Sequence, residues 1–454
     1  MARDLRKQAH FNLFIHGVGH HAAAWRAPDS HAERLRTVDY YTELAQIAER
    51  GHLDAVFFAD GHSNSITAAE DGPLWHLEPL TLLAAMSQAT ARIGLVSTVS
   101  ATFYTPFHAA RLLASLDWIS EGRIGWNVVT SMLDAEAQNH GMSRMPPHAL
   151  RYERAEEFVD VVQRLWDSWP NQAILIERET EPDGDLGRYV DPTQLAELNH
   201  SGEHFSVRGP LNVPRPPQGH PVLFQAGASE QGRNLAAHRA EAIYAVAYDL
   251  QAGQEYRSDV RQRIAAAGRR PDSVAIMPGL VTYVGSTVAE AQAKQRALDE
   301  LLPVENSLRQ LSVFTAQDTS EWELDAPVPQ LPPLRDFPGP KGRYATILRI
   351  IETEQPTVRQ LLGRLAAGGG HCTMVGTPES IADEIENWLD DGGADGFNLM
   401  PPSLPYGIND FVNYVIPELQ RRGRFRRDYQ TSTLRGHLGL HAPDLACPEN
   451  QGRT

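Results

Sequence analysis

The sequence predicts an α/β fold: a (β/α)8, or TIM, barrel with insertions after strands 4 and 7. Eight short apolar runs rich in β-branched residues alternate with eight segments of helical periodicity. The predicted strands are Phe11–His16, Ala55–Ala59, Ile93–Val99, Ile124–Asn127, Pro221–Gln225, Ala242–Val246, Val274–Val284 and Gly396–Met400. Nearly continuous apolar strands separated by helices indicate a parallel sheet covered by helices. Eight repeats suit a closed barrel, although periodicity alone also allows an open doubly wound sheet.

The helical segments are predicted between these strands. They lie at about 39–51, 78–91, 107–119, 149–168, 229–239, 251–268, 287–302 and 378–391. The fourth has the clearest buried stripe, because apolar residues from Ala155 to Trp166 recur at helical spacing. Thr287 with Glu290 has the pattern of a capping box, and Thr377 precedes a proline at the first helical position.

The chain is predicted to form one barrel domain over residues 1–440, followed by a disordered tail at 441–454. Two stretches break the strand–helix alternation: residues 170–220, with a small hairpin near 205–213, and residues 303–371, with a helix near 345–353. As barrel loops they would contribute substrate contacts, and contacts between subunits are the alternative. The basic run 421–427 is interpreted as a solvated surface or a subunit contact.

Composition excludes several classes of protein. The net charge of −16 argues against nucleic-acid binding, which needs clustered lysine and arginine. The two cysteines, Cys372 and Cys447, lack metal-ligand spacing and predict no disulfide framework. No apolar run approaches the roughly 18 residues of a membrane helix. We therefore expect a soluble cytoplasmic protein.

Residues Gly17–Ala22 match a G-x-G-x-x-A dinucleotide pattern after the first strand. Such a motif must open a helix directly, because the pyrophosphate sits on the amino terminus of that helix. Pro28 stands where this helix would run, so the dinucleotide interpretation is rejected. His16, His20 and His21 have no recognised metal spacing, and no metal site is expected.

Polar residues stand at the ends of three successive predicted strands. Asp60 follows the second strand, Thr98 lies near the end of the third, and Asn127 ends the fourth. Barrel active sites form at this edge, so the three side chains indicate a polar rim around a planar heteroaromatic ligand. The alternative is that they satisfy the main chain of the loops.

A phosphate seat is predicted beside this rim. Ala226–Ala228 are small residues that let main-chain N–H groups approach an anion, and Ser229 is a natural cap for the helix that follows. His148 and Tyr152 are four residues apart at the start of the fourth helix, so they share one face.

These motifs, in this order, resemble the nitrilotriacetate and dibenzothiophene-sulfone monooxygenase family, a branch of the bacterial-luciferase-like flavin enzymes. The matching segments are Val18–His20, Trp25–Arg26, Phe57–Asp60, Gly122–Ser131, Arg151–Tyr152, Gln225–Ser229, Ala394–Phe397, Val415–Gln420 and Asp428–Gln430. The resemblance spans about residues 8–440, and only 303–371 has no obvious match.

The resemblance implies a two-component monooxygenase. Reduced FMN (FMNH2) would come from a separate NAD(P)H:flavin reductase, and a flavin C4a-(hydro)peroxide would oxygenate a small substrate, commonly beside nitrogen or sulfur. Carried over by position, the flavin contacts are Asp60, Thr98, Asn127, His148, Tyr152 and Ser229. His20 and His148 match histidines of the reaction pocket, where they would act as catalytic residues. Relatives are commonly homodimers or homotetramers.

The sequence departs from the family pattern at one position, and three other functions stay open. Gly17 replaces the cysteine of the alkane-oxidising branch, which disfavours alkane oxidation. The alternatives are a deazaflavin-dependent oxidoreductase on the same barrel, a non-catalytic flavin-binding protein, and a barrel hydrolase or lyase without flavin. The last has no strand-end lysine or H-x-H metal motif to support it.

Overall fold

A computed structural model of the chain describes residues 7–66, 69, 72–73, 77–178, 187–337 and 341–443. Its strands are β1 (His10–Phe14), β2 (Ala55–Phe58), β3 (Gly94–Ser100), β4 (Ile124–Val129), β5 (His200–Ser201), β6 (Ser206–Val207), β7 (Val222–Gln225), β8 (Ala242–Ala245), β9 (Ala275–Val284), β10 (Cys372–Gly376) and β11 (Gly396–Leu399). Eight of them pair in parallel in the order β1-β2-β3-β4-β7-β8-β9-β11, and β11 pairs with β1 to close the barrel. The predicted barrel and its eight strands are confirmed.

Helices cover the outside of the barrel, and the eight predicted ones are confirmed. They are α1 (Val38–Arg50), α2 (Pro79–Ala89), α3 (Pro106–Ile119), α4 (Asp134–Asn139), α5 (His148–Asp167), α6 (Glu230–Arg239), α7 (Leu250–Ala266), α8 (Val288–Asp299), α9 (Val304–Thr315), α10 (Lys341–Glu354), α11 (Val358–Ala366), α12 (Pro378–Asp390), α13 (Tyr406–Asp410), α14 (Ile416–Arg421) and α15 (Leu434–His437). The predicted stripe of α5 is fully buried from Ala155 to Trp166. No helix in the described ranges is long and apolar enough to cross a membrane.

The additional parallel strand β10 was not predicted from the sequence. It pairs only with the outer half of β9, from Cys372 opposite Leu280 to Gly376 opposite Val284. The inner half of β9 pairs with β8, and its middle pairs with β11. With ten residues, β9 extends beyond the barrel wall. The main-chain groups of this outer part would be unpaired at a sheet edge, and β10 supplies their hydrogen-bond partners.

The described residues of the first insertion lie beside α5 and at the amino-terminal end of the barrel, and not at the carboxyl ends of the strands, where substrate contacts were expected. The insertion follows α5, and the hairpin β5–β6 packs beside that helix: Glu157 accepts hydrogen bonds from the main-chain N–H groups of His204 and Phe205 at 2.9 and 3.0 Å. Its last residues return to the amino-terminal end of the barrel, where Gln218 donates to Asp117. Residues 179–186 lie outside the described ranges.

The second insertion does cover the mouth of the barrel, at the carboxyl ends of the strands. Its helices α9, α10 and α11 share an apolar core that includes Leu311, Ile347 and Leu361. The main-chain N–H of Ala22 donates to the oxygen of Ala366 at 3.0 Å, which ties the insertion to the loop after β1. The predicted helix near 345–353 is confirmed within α10.

The amino-terminal end of the barrel holds a belt of buried ion pairs. Asp395 lies within 3.0 Å of cationic nitrogens of Lys7, Arg257 and Arg261. Asp54 is fully buried and pairs with Arg426. Despite the cost of burial, the neighbouring cations lower the pKa of both carboxyls to about 2.

Two arginines of the basic run 421–427, Arg422 and Arg424, form ion pairs within the fold. The interpretation of this run as a solvated surface is wrong for these two residues. Arg424 is buried and pairs with Glu386 and Asp390, and Arg422 pairs with Glu418. These side chains join the C-terminal helices to the barrel. The predicted tail lies outside the described residues from 444 onward.

Candidate active site

Thr98 and Asn127 form a hydrogen-bonded chain across the ends of β3 and β4. The Thr98 hydroxyl donates to the main-chain oxygen of Phe58 at 2.9 Å, so its oxygen accepts from Nδ2 of Asn127, also at 2.9 Å. This order of donors leaves Oδ1 of Asn127 turned away from Thr98. Oδ1 is buried and has no partner among the described residues. A buried acceptor without a donor costs about 1–3 kcal/mol, so the site fits a ligand that donates a hydrogen bond.

Asp60 lies on the loop after β2, beside a pair of histidines that sequence reasoning missed. Its carboxylate lies 3.4 Å from Nε2 of His62, and this hydrogen bond raises the pKa of His62. The other ring nitrogen of His62 is 2.8 Å from Nε2 of His140, whose pKa is lowered by burial. A protonated His62 therefore donates to both Asp60 and neutral His140. The His140 ring stacks on Phe103 with 4.2 Å between the centroids.

The predicted phosphate seat brings together residues from α5 and the start of α6. The rings of His148 and Tyr152 are 4.9 Å apart. Ser229 caps α6, since its hydroxyl accepts from the N–H of Gly232 at 3.1 Å. A Cβ at Gly227 would lie 2.8 Å from Cα of Gly232 and 3.2 Å from the Tyr152 hydroxyl. Only glycine fits at this position. The turn of small residues therefore lies at the amino terminus of α6, next to the Tyr152 hydroxyl, where main-chain N–H groups can bind an anion.

His20 lies on the loop after β1 and is held neutral. Its Nε2 is 3.0 Å from the main-chain oxygen of Phe14, and because a carbonyl oxygen only accepts, Nε2 carries the proton. Burial, with a smaller effect from His16, lowers the pKa of His20 well below its ordinary value. The ring thus offers Nδ1 as an acceptor. It can accept a hydrogen bond at Nδ1, and its lowered pKa disfavours protonation of the ring.

A cavity of about 570 Å³ opens beside His20. Its walls are the loop 16–26, the segment 302–313, which carries the amino-terminal part of α9, and the described residues Ser65, Gly72 and Pro73. This size is typical of sites for small organic molecules. Of the seven site residues predicted from the sequence, only His20 lines it.

Tyr244 and His371 form a buried, hydrogen-bonded pair inside the mouth that the sequence did not predict. The hydroxyl of Tyr244 is 3.2 Å from Nε2 of His371, and the two rings stack with 5.4 Å between centroids. Burial lowers the pKa of His371 to about 4, and its Nδ1 is buried without a partner in the described part of the chain. Tyr244 also contacts Phe14, which packs against His20. The three glycines at 368–370 mark the turn that brings His371 here.

A protein-family model described as luciferase-like monooxygenase matches residues 13–396, from β1 to the start of β11. The chain belongs to the luciferase-like monooxygenase family. The resemblance inferred from the strand-end motifs is therefore confirmed. Family membership and the named relatives make this chain a flavin-dependent monooxygenase.

Three relatives align along nearly the whole chain. N-acetyl-S-(2-succino)cysteine monooxygenase of Bacillus subtilis (strain 168) is 44% identical over 439 residues, covering 96% of this chain and 98% of the relative. Nitrilotriacetate monooxygenase component A of Aminobacter aminovorans is 43% identical, covering 96% and 97%. Dibenzothiophene-sulfone monooxygenase of Rhodococcus erythropolis (strain XP) is 37% identical, covering 97% and 98%.

A solved structure connects the fold to flavin. Riboflavin lyase with modified FMN and riboflavin is 32% identical, superimposes with a TM-score of 0.82, and covers 96% of this chain and 97% of its own. The residues of the present chain fit such a group. The unpartnered Oδ1 of Asn127 suits an N–H of a flavin ring, and the turn at Gly227 leaves room for a phosphate.

Proposed function

We propose that this chain is the oxygenase component of a two-component monooxygenase. It uses FMNH2, supplied by a separate NAD(P)H:flavin reductase, and O2 to oxygenate a small organic substrate at or beside nitrogen or sulfur. The observation that carries the proposal is the buried, unpartnered Oδ1 of Asn127 at the mouth of a barrel whose relatives are monooxygenases. When bound, FMNH2 activates O2, so that one oxygen atom enters the substrate, the other leaves as water and FMN is released.

The side chains of the rim hold the flavin at its two ends. Thr98 fixes the amide of Asn127, which accepts from the ring, and Asp60 is held at the same edge by His62. Tyr152 and Ser229, with His148 beside them, hold the phosphate end. Two separate anchor points fix the plane of the ring relative to the cavity.

His20 and the second insertion act on the reaction rather than on binding of the flavin. His20 offers Nδ1 as a hydrogen-bond acceptor to a reacting group while its Nε2–H stays on the oxygen of Phe14. The contact between Ala22 and Ala366 keeps the insertion over the mouth. A covered mouth excludes water and protects reactive oxygen species from being lost.

The names of the relatives support the finer parts of the proposal. Nitrilotriacetate monooxygenase component A is named as one component of a system, which supports a reductase partner. Nitrilotriacetate contains nitrogen, and N-acetyl-S-(2-succino)cysteine and dibenzothiophene sulfone contain sulfur. A cytoplasmic location and a homodimeric or homotetrameric assembly complete the proposal.

Two measurements test it. The chain is titrated anaerobically with photoreduced FMN and with oxidised FMN, and we expect tight binding of the reduced form only. It is then supplied with NADH, a flavin reductase and ¹⁸O2, together with the three named compounds. One ¹⁸O atom in an oxygenated or cleaved product is the expected result. Failure to bind reduced FMN, or oxidation of these compounds by a deazaflavin without O2, would overturn the proposal.

A further inference from the structure

We propose that the cavity between the loop 16–26 and α9 binds an organic anion through its carboxylate groups, and that Arg26 and Arg309 select this class of substrate. The inference rests on the proposed function, since it specifies the substrate of the same site.

The charge of the cavity wall is opposite to that of the protein. The chain has 57 acidic and 41 basic residues and a net charge of −16. The described wall of the cavity contains two arginines, three histidines and no aspartate or glutamate. The arginines of the wall create a local positive potential in an acidic chain, and this potential is complementary to an anionic ligand.

Both arginines lack a carboxylate partner. The Arg26 guanidinium lies 4.4 Å from the ring centroid of Trp25, and Arg309 donates to the side chain of Asn306. Within the described chain no carboxylate oxygen is within 4.0 Å of either. Carboxylate partners are present for three other arginines of the same insertion, in the pairs Arg349–Asp249, Arg359–Asp325 and Arg364–Glu354. An unpaired guanidinium fork matches the geometry of a ligand carboxylate.

His20 and His21 contribute hydrogen-bonding groups to the wall rather than full charges. His20 is neutral for the reasons given above. His21 accepts from the main-chain N–H of Ala23 at its Nδ1, which leaves its proton on Nε2, 3.1 Å from Asp299. The permanent positive charge of the cavity therefore comes from Arg26 and Arg309.

The rest of the wall defines the remainder of the ligand. The first turn of α9 has no side-chain cap, and its positive end adds to the field of the arginines. Glu305 of that turn is exposed and outside the wall. Val18, Ala24 and Val313 supply apolar surface. A carboxylate head on a compact organic body satisfies both parts, whereas a neutral hydrocarbon offers the arginines no hydrogen-bond acceptor.

The test compares charged and neutral forms of the same molecules. Nitrilotriacetate, N-acetyl-S-(2-succino)cysteine, the methyl esters of both and the phosphonate analogue of nitrilotriacetate are titrated into the full chain by calorimetry. R26E and R309E are compared with wild type. R335E is the matched control, because Arg335 is an exposed arginine of the same insertion that pairs with Asp336. We expect the dissociation constant for the acids to rise about tenfold or more in R26E and R309E, and to stay unchanged in R335E.

The outcomes separate this inference from the proposed function. The inference is overturned if neither acid binds wild type, if the esters or the phosphonate bind better than the acids, or if R26E and R309E bind the acids as wild type does. Reduced FMN is titrated into the same variants. If reduced FMN fails to bind wild type while the acids still bind, the proposed function fails and the anion site stands.

Discussion

Two buried carboxylates at the amino-terminal end of the barrel and two buried acceptors at its mouth differ in whether they have hydrogen-bond partners. At the amino-terminal end, the buried carboxylates of Asp54 and Asp395 each have cationic partners and accept a main-chain N–H. At the mouth, Oδ1 of Asn127 and Nδ1 of His371 are buried without any partner in the described structure. Partners at one end stabilise the fold, and missing partners at the other leave hydrogen-bonding capacity for a ligand. The contrast predicts that mutations at the two ends affect different measurements.

The largest effect is expected from Asp395→Asn, which leaves Lys7, Arg257 and Arg261 without their shared counter-charge. Removing one partner of a buried ion pair costs about 3–5 kcal/mol, measured here as the unfolding free energy in urea at pH 7. The pKa of Asp395 is about 2 in the fold and 3.8 ordinarily, so wild type loses this stabilisation as the pH falls from about 4 to 2. The variant should not show that loss.

Asp272→Asn is the control for this prediction, because Asp272 forms an exposed pair with Arg270. It should leave stability unchanged. If Asp395→Asn proved as mild as the control, or if it weakened reduced-FMN binding in the folded protein, the division between the two ends would be wrong.

The next largest effect is expected from Asn127→Leu. Loss of the amide removes the acceptor proposed for the flavin ring, so the affinity for reduced FMN should fall about 10- to 100-fold. Stability should stay constant or rise, because an unpartnered buried acceptor is removed. Asn398→Leu is the matched control: this buried amide accepts from Asn12 and donates to the oxygen of Met277. It should lose stability, and a stability loss in Asn127→Leu as well would contradict the contrast.

A smaller effect is expected from Gly227→Ala. The added Cβ would lie 2.4 Å from Nε2 of Gln225 and 2.8 Å from Cα of Gly232, so the turn must shift. Affinity for reduced FMN should drop about tenfold, while the affinity for reduced riboflavin, which lacks the phosphate, should change little. Gly342→Ala is the control, since nothing lies within 4 Å of a Cβ there. Equal losses for FMN and riboflavin would argue against a phosphate seat.

The smallest effect is expected in the pH dependence of His20. Its pKa lies below the ordinary value of 6.5, so the ring stays neutral at and above that pH and is protonated only in more acidic solution. The ratio of kcat/KM between wild type and His20→Gln should therefore stay constant from pH 6.5 to 8. A ratio that changes tenfold across this range would show that His20 titrates there.

The barrel was predictable because its signals are local. Each strand is a short apolar run and each helix carries its own periodicity, so all eight pairs were found to within a few residues. Strand β10 was missed because it is half-covered and pairs on one side only. The unusual length of β9 was the available signal. Helix α11 had a signal too, since Thr357 and Gln360 form a capping box.

The site was predictable only in part. Thr98 and Asn127 were predicted from strand ends, and the structure joins them by a hydrogen bond. The pairing of Tyr152 with Ser229 came from the family resemblance, and the structure places the Tyr152 hydroxyl beside Gly227 and Gly232, in the turn that Ser229 caps. Their roles toward the flavin remain predictions. The contacts of His62 with His140, and of His371 with Tyr244, join residues more than 75 positions apart. No local pattern encodes such contacts, because they depend on how the loops pack over the mouth.

The second insertion has a consequence for how this scaffold can diverge. It leaves the barrel after α8 and returns at β10, and α8 packs on β10, so its entry and exit lie side by side. Its three helices are held by an apolar core of their own. Such a segment can be exchanged as a unit between members of the family. A different insertion would change the cavity wall that contacts the substrate. The residues proposed to hold the flavin lie outside the insertion and would be unaffected by the exchange.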